Sequence, residues 1–323
     1  MRFIAQLVMR SSFEDVLERA LAAERAGFSA VLVPDHFHVP QDRPTPGGIA
    51  ESWTTLAALA ARTQRVRVGG AVMCNIFRHP CLTAQIAATV DQISNGRLEL
   101  GLGAGWMEEE FRRTGIPFPR PGVRIAMLAE ALQIVLPALE GETVTFKGEH
   151  YDVHDFVLEP GSVQKPRPPL HIGGGGDRLL RLAGRYADIV SLIPPAPHGR
   201  VSREEVVAFS AERITERIGF LRRAAEAAGR DPSSIEVMGF SGVVQLTESE
   251  AQAAATLEGM AKMFDVSVEE VRDHPMTLVG TPAQIAESLE RRRESWGIDA
   301  QMIGVQSVET AEVFGKEIIP RLA

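Results

Sequence analysis

Eight short apolar runs, each followed by a segment of helical period, constrain this chain more than any other feature of its sequence. Strands covered by helices on both faces read as continuous apolar runs, and alternating such runs with helices builds a parallel sheet with crossover connections. The runs are Phe3 to Val8, Ala30 to Asp35, Val66 to Cys74, Arg97 to Ala104, Pro169 to Ile172, Ala187 to Ile193, Ile235 to Leu246 and Gln301 to Val305. Eight such units predict an α/β fold of the closed (β/α)8 TIM-barrel type.

Local signals agree with that pattern. Ser11 and Glu14 have capping-box spacing ahead of Phe13, Val16, Leu17, Ala20 and Leu21 on one helical face, and Gly27 supplies the stop. Helices are also expected near Trp53 to Arg62, from Pro80 to Ser94, from Asp177, and after Thr281-Pro282, a cap followed by proline at the first helical position. A barrel of this kind needs about 250 residues. The chain has 323, so one domain over residues 1–323 is expected, its surplus inserted at the C-terminal mouth. Three segments suit that role. They are the loop Val39 to Ser52, a β-excursion from Thr143 to Lys165 around the turn Lys147-Gly148-Glu149, and a helical region from Glu248 to Pro275.

Composition narrows the partners. With 34 Lys+Arg against 42 Asp+Glu the net charge is -8, which opposes binding to nucleic acid or an anionic membrane. The first residues turn polar at Arg10-Ser11-Ser12, so no signal peptide or membrane span is expected there. Two cysteines make no disulfide framework, so a reducing cytoplasm is the expected location. The expected partner is a small-molecule substrate.

In a parallel barrel the strand C-termini share one face, and the chemistry sits there. That rule selects Gln6, Asp35 with His36, Cys74 with Asn75, the run Gly101 to Trp106, and Gly173-Gly174-Gly175-Gly176. Four glycines between a strand and a helix leave backbone N–H groups open to a phosphate at the helix start, whereas a tight turn alone needs one or two. The run Gly101-Leu102-Gly103-Ala104-Gly105-Trp106 is not a dinucleotide fingerprint, because Trp106 replaces the third glycine and the run follows the fourth strand. Its small residues let a flat group lie on the backbone, with Trp106 and Glu109 or Glu110 at the rim. His36 is the candidate acid or base. His38 lies close by, but no third ligand accompanies the pair and no metal is expected. Cys74 and Cys81 read as packed thiols.

These residues also carry a resemblance. The segments Val33-Pro34-Asp35-His36-Phe37, Val68 to Cys74 with Arg78-His79-Pro80, Ser94 to Trp106, Pro169 to Gly174 with Leu180 to Asp188, and Val279-Gly280-Thr281-Pro282 are collinear with the luciferase-like oxidoreductases. Within that superfamily the chain resembles the branch that uses coenzyme F420. The resemblance implies a tricyclic deazaflavin in the barrel mouth and its phosphate at Gly173 to Gly176. It also implies a bulge in the third strand with a cis peptide at Ala71-Val72 behind the ring, and a homodimer. The site it outlines has His36 as the catalytic residue, with Asp35, Ala71, Val72, Cys74, Gly103, Ala104, Gly105, Trp106, Glu109 and the four glycines at the cofactor.

The chemistry implied is hydride transfer between C5 of the deazaflavin and an activated C=C, C=N or carbonyl carbon. Relatives that oxidise a sugar phosphate carry glutamate at the position of Trp106 and tryptophan at that of Pro40. Their absence here favours a reductase, or a dehydrogenase for a less polar substrate. Two alternatives stay open: an FMN-dependent monooxygenase of the same superfamily, and a flavin-binding protein of this fold without activity.

Overall fold

The computed structural model describes residues 1–7, 9, 11–37, 48–194 and 203–322. Its strands are β1 Arg2–Leu7, β2 Ala30–Val33, β3 Arg67–Gly70, β4 Met73–Cys74, β5 Leu98–Gly103, β6 Val144–Lys147, β7 Asp152–Phe156, β8 Leu170–Gly173, β9 Ile189–Ser191, β10 Glu236–Ser241, β11 Val243–Leu246, β12 Thr277–Gly280 and β13 Ala300–Val305. The helices that precede the fifth barrel strand β8 are α1 Phe13–Arg25, α2 Ser52–Arg62, α3 Pro80–Ile93, α4 Glu108–Thr114 and α5 Pro121–Glu140. After it come α6 Asp177–Tyr186, α7 Arg203–Val207, α8 Ala211–Ala227, α9 Glu250–Phe264, α10 Val268–Asp273, α11 Pro282–Trp296, α12 Val308–Val313 and α13 Ile319–Leu322.

Parallel pairing runs β3-β2-β1-β13-β10-β9-β8-β5, and a further β3–β5 pairing closes the ring. The expected (β/α)8 barrel is therefore present, with β4 continuing the third strand. Two apolar layers hold it. Outward residues such as Ala5, Val31, Leu100, Ile172 and Ile303 pack under the helices, while Ile4, Ala30, Leu32, Ile189, Met238, Ala300 and Met302 form a separate cluster inside. The base of the barrel is closed by charge: Arg2 bridges Glu99 at 2.5 Å and Glu236 at 2.6 Å, and Arg67 meets Glu99 at 2.9 Å.

Three readings of the sequence need correction. The capping box of α1 is Ser12 with Asp15, one residue beyond the expected pair; both pairs have the same spacing, so spacing alone could not choose. The third run is broken between Gly70 and Met73, where the Ala71-Val72 peptide is cis, as the resemblance implied. The seventh run is two strands. Its second half leaves the barrel after Ser241 and pairs with β12 in a two-stranded parallel sheet.

The excursion after α5 is the expected hairpin, with Phe146 opposite Val153. Its turn is fixed by the Glu130 carboxylate, which accepts the N–H groups of Glu149, His150 and Tyr151 at 2.9 to 3.1 Å. The region from Glu248 to Pro275 holds α9 and α10. Most of the first insertion, with His38 and Pro40, lies outside the described residues.

Candidate active site

Side chains alternate faces along a strand, so the inner apolar cluster predicts which residues come next toward the mouth. Above Leu32, Ile189 and Met302 the inward positions hold Gln6, Ala71, Gly103, Gly173, Ser191, Phe240 and Gly304. Apart from Gln6 and Phe240 these residues have almost no volume, and the barrel ends in a cup instead of a fully packed layer. Val72 forms part of its wall. A Cβ added to Gly103 would lie 2.6 Å from Val72 Cγ2, and one on Gly173 would lie 3.3 Å from both Val72 methyl carbons. The glycines thus let Val72 sit against bare backbone.

On one side the cup opens onto Gly173 to Gly176. Gly174 has φ +149°, and a Cβ on Gly175 would sit 2.8 Å from the Ile193 carbonyl oxygen. Gly176 caps α6 without any side-chain hydrogen bond, and a Cβ there would meet nothing within 4 Å. The first N–H groups of α6 therefore have no side-chain cap, a helix start of the kind that can receive an anionic group. Arg178 is exposed, and its guanidinium lies against Gly122 in the first turn of α5. Arg181 and Arg185 point elsewhere, into a groove between α6 and α8 beside Phe220 and Arg223.

His36 stands on the other side, at the end of β2. Its Nδ1 is 2.8 Å from Glu110 Oε2, and Glu110 Oε1 accepts the Phe37 N–H at 2.6 Å. The edge-to-face ring of Trp106 lies 5.9 Å from the imidazole. Glu110 is only 2% exposed and His36 23% exposed, so a buried carboxylate supports an accessible imidazole. Of the two rim candidates, Glu109 turns outward to Arg112 and Arg113 at 2.7 Å each. Glu110 takes the inward place one residue along the helix.

Asp35 is committed to the framework. It accepts the Cys74 N–H at 2.8 Å and pairs with Arg78 through both oxygens at 2.7 and 3.1 Å, while Arg78 also reaches Glu51 at 2.5 Å. This ties the end of β2 to β4 and α2, and holds the backbone that presents His36. Cys74 is packed behind Gly105, and burial pushes its thiol up to about 12. Arg124, which the sequence reading missed, donates from Nε to the Gly105 carbonyl at 3.2 Å and from Nη1 to Pro119 O at 2.6 Å, with Phe118 beneath it. It fixes the loop carrying Ala104, Gly105 and Trp106.

Below the cup His171 is fully buried, with Nε2 2.8 Å from Ser191 Oγ, and burial pushes its imidazole down to about 4. The unfolded chain binds this proton near the ordinary value of 6.5 and the folded chain does not. Stability contributed here is complete above pH 6.5 and declines as pH falls toward 4. The total loss is roughly 3 kcal/mol, and His274, also pushed down by burial, acts in the same direction. Denaturation curves at a series of pH values should show this slope, and His171→Asn should reduce it. An equal slope in the variant would contradict the assignment.

With this geometry in place, kinship becomes informative. The luciferase-like monooxygenase family matches residues 2–300, and the chain belongs to that family. It is 34% identical over 179 residues to the F420-dependent glucose-6-phosphate dehydrogenase of Intrasporangium calvum, a match covering 54% of this chain and 52% of the dehydrogenase. The chain thus spans about half the length of that relative. It is 27% identical to the FMNH2-dependent dimethylsulfone monooxygenase of Pseudomonas putida across 98% of this chain and 90% of the other. A solved F420-dependent secondary alcohol dehydrogenase, in complex with an F420-acetone adduct, superposes with a TM-score of 0.80 at 23% identity, covering 100% and 99% of the two chains. That last likeness is one of fold. The family includes both F420-dependent and FMN-dependent oxidoreductases.

Proposed function

We propose that the protein is a coenzyme F420-dependent oxidoreductase acting on a small, weakly polar organic substrate. The observation that carries this reading is the glycine-lined cup with one supported imidazole, His36, at its edge. When bound, the deazaflavin supplies or accepts a hydride at C5. The chain's own residues do the rest. Val72, Gly103 and Gly173 form a flat wall for the ring, and the uncapped start of α6 takes the phosphate. Trp106 stands edge-to-face with the imidazole at 5.9 Å, an apolar neighbour that favours a substrate with little charge. His36 Nε2 has no hydrogen bond among the described residues, so this nitrogen is placed to give a proton to the substrate or take one from it.

The rival reading is an FMN-dependent monooxygenase, favoured by the nearly full-length likeness to the Pseudomonas putida enzyme. Oxygen consumption separates the two, because reduced deazaflavin reacts poorly with oxygen. Adding reduced FMN and the protein together should consume oxygen no faster than reduced FMN alone. Protein-dependent oxygen uptake that yields an oxygenated product would reverse the assignment.

A further inference from the structure

We infer that Glu110 is a positioning residue that fixes the tautomer of His36, leaving Nε2, which has no hydrogen bond among the described residues, as the atom that meets the substrate. The inference rests on His36 as the proton-handling group but not on the identity of the cofactor. A carboxylate can only accept hydrogen bonds, so the 2.8 Å contact between Glu110 Oε2 and His36 Nδ1 requires a proton on Nδ1. In the neutral ring Nε2 is then an acceptor, suited to drawing a proton from a substrate hydroxyl. After protonation the same nitrogen is the donor, and the buried carboxylate stabilises the imidazolium from behind.

The second oxygen of Glu110 makes the arrangement hard to imitate. Oε1 accepts the backbone N–H of Phe37 at 2.6 Å, and that donor cannot be given up at low cost in a site this enclosed. Both oxygens are needed as acceptors. Glutamine at this position has one acceptor oxygen and one NH2 group. Its oxygen would go to the Phe37 N–H, and its NH2 would face Nδ1. The imidazole would respond by moving its proton to Nε2, presenting a donor where the wild-type ring presents an acceptor. Trp106, edge-on at 5.9 Å, limits the ring's freedom to flip and restore the original pattern. The carboxylate comes from the first turn of α4. It supports the histidine through Nδ1, from behind.

The test is nitrogen-15 NMR of histidine-labelled protein without cofactor, at a pH where the His36 ring is neutral, comparing wild type with Glu110→Gln. Wild type should show the proton on Nδ1, and Glu110→Gln should show it on Nε2. Turnover of the variant should fall about 100-fold or more, with KM changed far less than kcat. A wild-type ring protonated on Nε2 would overturn the proposal, and that measurement needs no variant. An unchanged tautomer in a folded Glu110→Gln protein would also overturn it. A tautomer exchange in a protein that binds FMN but not F420 would support the positioning role while refuting the proposed cofactor.

Discussion

Replacing His36 with alanine is expected to slow turnover about 10²- to 10⁴-fold, the usual contribution of a positioned acid or base, while cofactor affinity stays nearly unchanged. The two effects separate because the groups are separate in the structure. In the proposed reading the cofactor would lie against Val72, Gly103 and Gly173 with its phosphate at the start of α6, whereas His36 sits at the end of β2 beside Trp106. With alanine at position 36, Glu110 keeps its bond to the Phe37 N–H, so the loop should hold its course. Steady-state kinetics and a fluorescence titration on the same preparation read both quantities. Equal losses in turnover and affinity would contradict the acid-base role and make His36 a binding residue.

Replacing Arg78 with alanine is expected to cost about 3 to 5 kcal/mol of stability, because it leaves a buried carboxylate without its counter-charge. The Asp35 side chain is 4% exposed and that of Arg78 12%, and the pair is bidentate. Asp35 also holds the Cys74 N–H, so its loss of charge balance would loosen β4 and the wall residue Val72 just before it. Chemical denaturation measures the loss. A second change, Asp35→Asn, should recover part of it by removing the stranded charge. A cost below about 1 kcal/mol would place this pair among exposed ion pairs of little consequence.

How far the sequence discloses this arrangement depends on the length scale. The order of strands and helices is readable because both faces of a barrel strand are buried, and runs such as Val31-Leu32-Val33 or Leu98 to Leu102 carry few polar interruptions. The helix α5 escapes a periodicity reading for the same reason. It is apolar almost all round, with Leu128, Leu132, Val135 and Leu139 fully buried, although Pro121 at its start and Gly141 beyond its end mark its limits. Breaks inside a run are harder. Val66 to Cys74 and Ile235 to Leu246 each look like one strand, because a cis peptide and a change of partner sheet leave no mark on hydrophobicity. Only the resemblance pointed to Ala71-Val72.

The site was legible by position more than by role. The rule that chemistry gathers at strand C-termini reached His36, Gly103 and the four glycines without any structure. It did not reveal that Asp35 serves Arg78, nor which of two adjacent glutamates turns inward. Glu109 and Glu110 differ by about 100° around a helix, and the seven-residue α4 has too few apolar positions to set that angle. Arg124 lies 19 residues along the chain from the Gly105 carbonyl it holds, a partnership that no local pattern records.

The most direct test of the account is a side-by-side titration of the protein with F420 and with FMN, following the fluorescence of each. The account predicts saturable binding of F420 in the micromolar range, with FMN much weaker, and loss of the F420 signal when a bulky side chain replaces Gly103 against Val72. Micromolar binding of FMN alone would contradict it.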